Sequence, residues 1–138
     1  SSHITIAEID LDQGATVAEE VNSKGGDAKA IAVKTDVADA DQVETMVSRA
    51  INEFGGVDVL VNNAGFNDGR DLSTAPREFM NSVHLNLSHV YTLAHLCREQ
   101  LAHNEGAIVN VSSKVAVTGQ GSTSGYAAAK GAMNALTR

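Results

Sequence analysis

Only two tyrosines occur among the 138 residues, and Tyr126 stands four positions before Lys130. Residues four apart share a helix face, so a helix here would set an ammonium beside a phenol. A phenol in water ionises near pH ~10 and is a poor base at neutral pH. A neighbouring cation favours the phenolate and makes it able to take a proton from an alcohol. Ser113 lies thirteen residues before Tyr126, and its hydroxyl could hydrogen-bond an oxygen whose charge changes during such a transfer. The intervening stretch, "SSKVAVTGQGSTSGYAAAK", is rich in glycine, serine and threonine and reads as a polar loop leading into a helix. The plainer reading is an aromatic at a helix start with a solvated lysine below it. The surrounding elements decide between the two.

Those elements alternate. "HITIAEID" (3–10) and "AKAIAVKTDV" (28–37) are short β-branched runs ending in acids, which predict buried strands. Between them, residues 12–24 carry Ala15, Val17, Ala18 and Val21 among charges, and the helix they predict ends at Gly25-Gly26. Val43, Met46, Val47, Ala50 and Ile51 mark an amphipathic helix over 39–54. "VDVLVNNAG" (57–65) is a third strand, roughly 77–103 a long helix, "GAIVNVSS" (106–113) a fourth strand, and a last helix starts near Ser124. Such alternation predicts a parallel sheet with helices on both faces. In such sheets ligands gather beyond the carboxyl ends of the strands. Every predicted strand ends in polar residues: Glu8 and Asp10, Asp36, Asn62 and Asn63, Ser112 and Ser113.

Composition narrows the class. The chain is 43% hydrophobic and 4% aromatic, enough for one aliphatic-cored domain. Ten basic residues against 17 acidic ones give a net charge of −7, without the basic patch that nucleic-acid binding requires. No apolar run approaches the ~20 residues of a membrane span. Without a basic-then-apolar opening stretch, no secretory leader is expected. The single cysteine, Cys97, fits packing in a reducing cytoplasm. The histidines at 84, 89, 95 and 103 are never four apart, so no metal site is expected.

The ordered set Asp36-Val37, "NNAG" at 62–65, Asn86 in "HLNLSHVY", Ser113 and Tyr126-x-x-x-Lys130 resembles the short-chain dehydrogenase/reductase family across nearly the whole chain. "NNAGFNDG" and the stretch 112–138 resemble its sugar-oxidising branch, L-fucose dehydrogenases in particular. The resemblance implies a doubly wound Rossmann-type parallel sheet. Residues 1–138 would form a partial NAD(P)-binding domain, from the family's second strand to the start of the tyrosine helix. The family's opening strand, its T-G-x-x-x-G-x-G turn and its C-terminal part find no counterpart, and we expect the chain to belong to a longer protein.

By the same resemblance, Tyr126 is the general base, Lys130 its electrostatic partner and Ser113 the substrate-oxygen donor, with Tyr126 and Lys130 also contacting the cofactor. Asn86 holds a water that continues the proton path from Lys130. Glu8 would accept the adenosine ribose hydroxyls, with Ile9 following it. A 2′-phosphate would be repelled there, which favours NAD over NADP. Asp36 and Val37 would meet the adenine, and Asn63, Ala64 and Gly65 would pass beside the second ribose, where a bare backbone permits close approach. Asn67, Asp68, Lys114 and Gln120 lie in loops that would flank a polar substrate; of these, Asn67 and Gln120, together with Ser113, are the expected substrate contacts. The resulting expectation is a cytoplasmic, NAD-dependent dehydrogenase of sugars or polyols, built as a homodimer or homotetramer through bare helix surfaces such as Ala127-Ala128-Ala129. Two alternatives are a 3-oxoacyl-carrier-protein-type carbonyl reductase and a non-catalytic nucleotide-binding scaffold.

Overall fold

The computed structural model describes residues 2–138. The chain is α/β and divides into two compact units, one ending at Val57 and the other running from Asp58 to Arg138. The first contains β1 (Ile4–Glu8), α1 (Leu11–Ser23), β2 (Ala30–Lys34) and α2 (Ala40–Phe54). β1 and β2 are parallel, in a register that sets Ile4 against Ala30 and Glu8 against Lys34. Both helices open with the same device, D-x-D-Q-x-x-T. Asp10 accepts the amides of Asp12 and Gln13 and the Gln13 side chain, and Asp39 does the same for Asp41 and Gln42. These bonds satisfy helix donors that have no intrahelical acceptor and hold both carboxyls below their usual pKa, the side-chain bond from glutamine contributing most. Gly25, at φ +76°, terminates α1 in the left-handed region that glycine adopts without strain. The buried face of α2 is the predicted one: Val43, Met46, Val47 and Ala50.

The second unit contains β3 (Val59–Asn62), α3 (Pro76–His103), β4 (Ala107–Asn110), α4 (Val115–Thr118) and α5 (Ser124–Leu136). β3 and β4 are parallel, Val59 facing Ala107 and Asn62 facing Asn110. Pro76 starts α3, where its missing amide costs nothing. One face of α3 buries Ser82, Asn86, His89, Val90, Leu93, Cys97 and Leu101. Three polar side chains thus lie on an otherwise apolar stripe, and each needs a partner or carries a desolvation cost.

Two details are corrected, while the parallel α/β arrangement is as expected: the strands pair two by two, β1 with β2 and β3 with β4. That pairing is what the doubly wound order 3-2-1-4-5 leaves for its second to fifth strands. In consequence β4 is not buried; Ile108 and Val109 are exposed, as are Val59 and Val61 on β3. The stretch 114–123 is not all loop either, because α4 forms a single turn within it. Among the described residues no helix is long and apolar enough to cross a membrane.

Candidate active site

The segment after β3, α3 and the first turns of α5 bring Gly65, Asn86, Tyr126 and Lys130 of the predicted residues together. Lys130 is only 2% exposed. Its ammonium donates to the Val111 carbonyl at 2.7 Å and lies 5.8 Å from the centre of the Tyr126 ring. The four-residue spacing therefore does what the sequence implies: both side chains occupy one side of α5. Burial pushes the Lys130 pKa down, yet a charge-assisted bond to a carbonyl is among the stronger protein hydrogen bonds and holds the ammonium in place. The Ser112 hydroxyl donates to the Lys130 carbonyl at 3.2 Å, tying α5 to the end of β4.

Gly65 closes the other side. Its φ of +154° suits glycine, and a Cβ there would stand 3.0 Å from the Asn86 Oδ1 and 3.4 Å from the Lys130 Nζ. The backbone passes close enough to the lysine that a side chain here would crowd both groups. Asn86 is fully buried. Its Oδ1 accepts the Phe66 amide at 2.8 Å and its Nδ2 donates to the Ser82 carbonyl at 2.9 Å. This amide pins the backbone after "NNAG" to α3, a function the sequence does not announce.

Ser113 is half-buried at the end of β4, where its Oγ accepts the Val115 amide at 3.4 Å and so helps start α4. Asn67 and Gln120 are both exposed. Asn67 turns its side-chain oxygen to the Gly69 amide at 3.1 Å. Asp68 is not free for a ligand: it accepts from the Ser82 hydroxyl and from Arg70. Lys114 is exposed. Asn63 is exposed and Ala64 half-buried on the segment leaving β3.

In the first unit, Glu8 ends β1 and accepts the Asp10 amide at 3.2 Å through one oxygen. Ile9 is exposed. Asp36 follows β2, accepts the Ala38 amide at 2.9 Å and donates its own amide to Gln42 at 2.9 Å, with Val37 half-buried beside it. A shallow depression is lined by Ile9, Asp10, Leu11, Asp12 and Lys34. Lys34 is a cation that sequence reading missed there; the parallel register that sets it opposite Glu8 could not be read from one strand alone.

His89 was also unassigned by the sequence. It is 1% exposed, and neither ring nitrogen makes a well-formed hydrogen bond among the described residues, the Ala64 backbone offering only a weak contact. Burial pushes its pKa down, the Lys130 ammonium pushes it down further, and the Ala64 backbone opposes them only in part. The ring is thus held neutral.

The family model for short chain dehydrogenases matches residues 2–138. An uncharacterised oxidoreductase of Thermotoga maritima is 36% identical over 136 residues, 97% of this chain and 52% of the relative. The 3-oxoacyl-[acyl-carrier-protein] reductase of Staphylococcus aureus is 36% identical over 88% of this chain and 50% of its own length. The L-fucose dehydrogenase of Bos taurus is 37% identical over 75% of this chain and 39% of its own. Among solved structures, a 7α-hydroxysteroid dehydrogenase complexed with NADH superposes with a TM-score of 0.87 at 26% identity, covering 96% of this chain and 51% of that one. The fold, with its parallel strands and tyrosine helix, is that of a truncated Rossmann-type domain. The chain belongs to the short-chain dehydrogenase/reductase family. It spans about half the length of the relatives it matches.

Proposed function

We propose that this chain is part of a cytoplasmic, NAD-dependent dehydrogenase that moves hydride between a hydroxyl of a sugar or polyol and a nicotinamide. One observation carries the catalytic reading: a buried lysine, held by the Val111 carbonyl, stands under Tyr126 and against the bare backbone of Gly65. A lysine is rarely buried without a purpose that offsets its desolvation. Here the ammonium favours the phenolate of Tyr126, which takes the alcohol proton. Ser113 hydrogen-bonds the same oxygen as its charge changes. Asn86 keeps the backbone at Gly65 close to Lys130, and in this reading it also serves the proton path. The nicotinamide, when bound, supplies the hydride acceptor.

The residues present fit such a cofactor. The side-chain-free approach at Gly65 leaves backbone for a ribose to lie against, with Asn63 and Ala64 beside it. Glu8 keeps one carboxylate oxygen for ribose hydroxyls, with Ile9, Asp36 and Val37 serving the adenosine end. Glu8 favours NAD; Lys34, opposite it in register, is the observation that favours acceptance of a phosphorylated ribose as a second reading. Exposed Asn67 and Gln120 suit a polyhydroxylated substrate. Oligomer formation through α3 and α5 fits the exposed Met80 and Tyr91 along α3.

The test uses the full protein. Reduction of NAD and of NADP is followed by absorbance against a panel of sugars that includes L-fucose, with a 3-oxoacyl thioester and reduced cofactors in the reverse direction. The proposal expects sugar-dependent reduction of NAD. Tyr126→Phe should lower turnover by about 10²–10⁴-fold while cofactor affinity is kept. Cofactor binding without turnover of any alcohol or ketone would leave the scaffold reading. Preference for the thioester would leave the acyl reductase reading.

A further inference from the structure

We propose that Asp68, Arg70 and Ser82 form a clamp that positions Tyr126 relative to Lys130. The proposal rests on the reading of Tyr126 as the proton acceptor. It begins from a gap at the start of α5. The first amides of a helix have no intrahelical acceptor and are normally met by the residue before the helix. In α5 that residue, Thr123, makes no side-chain cap; its hydroxyl donates instead to the Gln120 carbonyl at 2.6 Å. The amide of Ser124, the first residue of α5, donates to the Arg70 carbonyl at 2.7 Å. The start of the tyrosine helix is therefore set by a distant loop and not by its own sequence.

That loop, between β3 and α3, has no regular structure and owes its shape to side chains. The Ser82 hydroxyl donates to the Asp68 Oδ1 at 2.8 Å. The Asp68 Oδ2 faces the Arg70 Nε at 3.4 Å, and the Arg70 Nη1 reaches the Glu78 Oε2 at 3.2 Å. An exposed ion pair would be worth little. The Asp68 side chain, however, is only 11% exposed, and Ser82 is completely buried on α3. Gly125 packs directly on Ser82, leaving no room for a Cβ. Asp68 thus fixes Arg70 from one side and Ser82 from the other. Arg70 holds the backbone two residues before Tyr126, and Ser82 bears on the residue immediately before it. These are positioning residues: none touches the phenol. Both oxygens of Asp68 are engaged in the clamp, which removes it from the substrate contacts.

The test compares Asp68→Ala, Ser82→Ala, their double variant, Asp68→Asn and Arg70→Gln in the full protein. Displacing a catalytic group by about 1 Å costs up to about 10²-fold in rate. We expect Asp68→Ala and Ser82→Ala to lower kcat on the sugar panel by about 10- to 100-fold, with KM for the cofactor unchanged. The double variant should be no worse than Asp68→Ala alone, because the bond that Ser82→Ala removes is already lost there. Asp68→Asn, which keeps an oxygen for Ser82, should recover most of the loss. Hydrogen exchange in the free protein gives a readout that needs no turnover: the Ser124 amide should exchange at least about tenfold faster in Asp68→Ala and Arg70→Gln. Wild-type exchange at residues 124–127 in these variants would overturn the clamp. So would additive losses, or failure of Asp68→Asn to recover activity. If the wild-type protein turns over no alcohol, the catalytic reading falls, and the exchange data alone decide the clamp. Should Asp68→Ala not fold, Ser82→Ala by its turnover and Arg70→Gln by its amide exchange carry the same decision.

Discussion

Gly125→Ala is the sharpest perturbation of the helix that carries Tyr126. A Cβ at position 125 would sit 2.6 Å from the Ser82 Cβ and closer still to its Oγ. Carbon atoms in good contact stand about 3.5–4.0 Å apart, so the two helices must part by about 1 Å or one side chain must yield. Ser82 cannot swing aside without giving up its 2.8 Å bond to Asp68, and it has no solvent to swing into. Overpacking of this kind costs about 1–3 kcal/mol. The gain in helix propensity over glycine is at most about 1 kcal/mol, and smaller at the helix start. A net loss of about 1–2 kcal/mol therefore follows, together with a fall in kcat of up to about 10²-fold from the shifted phenol. Urea unfolding measures the first quantity and cofactor reduction the second. The mechanism also dictates which second change repairs the damage. Ser82→Ala keeps the offending Cβ and should not restore activity to Gly125→Ala. Ser82→Gly removes it and should recover part of the lost stability, though not turnover, because the hydroxyl that bonds Asp68 goes with it. A Gly125→Ala protein with wild-type stability and turnover would refute the reasoning, as would rescue by Ser82→Ala.

Three further outcomes are expected. His89, held neutral by its burial and by Lys130, has a folded pKa below its ordinary value of 6.5. The unfolded chain takes up the proton first, so stability is full above pH 6.5 and falls as pH drops below it. Urea midpoints at about pH 7.5 and pH 5.5 should show that slope in the wild type and a flatter one in His89→Leu; equal slopes would contradict it. Burial pushes the Cys97 thiol above its usual pKa, so iodoacetamide should label it only when the protein is unfolded. Labelling at the rate of a free thiol under native conditions would count against that packing. Asn86→Leu strands the Phe66 amide and removes a partner from the Ser82 carbonyl, at a cost of about 1–3 kcal/mol. An unchanged unfolding midpoint would show that those bonds do not matter.

The elements were legible because their signals are local. Apolar residues at helical spacing gave α1, α2 and α3 to within a residue or two at most ends, and the β-branched runs gave all four strands, if too long at each end. The Tyr126 and Lys130 pair was legible for the same reason. What the sequence hid is mostly backbone. The carbonyls that hold Lys130 and Ser124 belong to Val111 and Arg70, and any residue type offers a carbonyl. The one-turn helix α4 is too short to show periodicity. Pairing of the strands, and with it the place of Lys34 opposite Glu8, depends on register between segments 26 residues apart. Ser82 and Asp68 were within reach: Ser82 stands four residues before Asn86 on the same helix face, a polar residue where an apolar one belongs. The twin D-x-D-Q-x-x-T starts of α1 and α2 were also there to be read.

The two strand pairs impose different orders of assembly. Joining β1 to β2 brings together residues 26 apart in sequence, Ile4 and Ala30, whereas β3 and β4 join residues 48 apart, Val59 and Ala107. Chain closure alone separates these by only about 0.5 kcal/mol. The larger difference is that the longer crossover contains all 28 residues of α3, which must order before the ladder can close. The second unit should thus gather late, around a preformed rod, while the first can zip from short-range contacts. During synthesis that delay leaves the valine-rich edges of β3 and β4 open to other chains, and it makes this half the one that most needs a chaperone's protection.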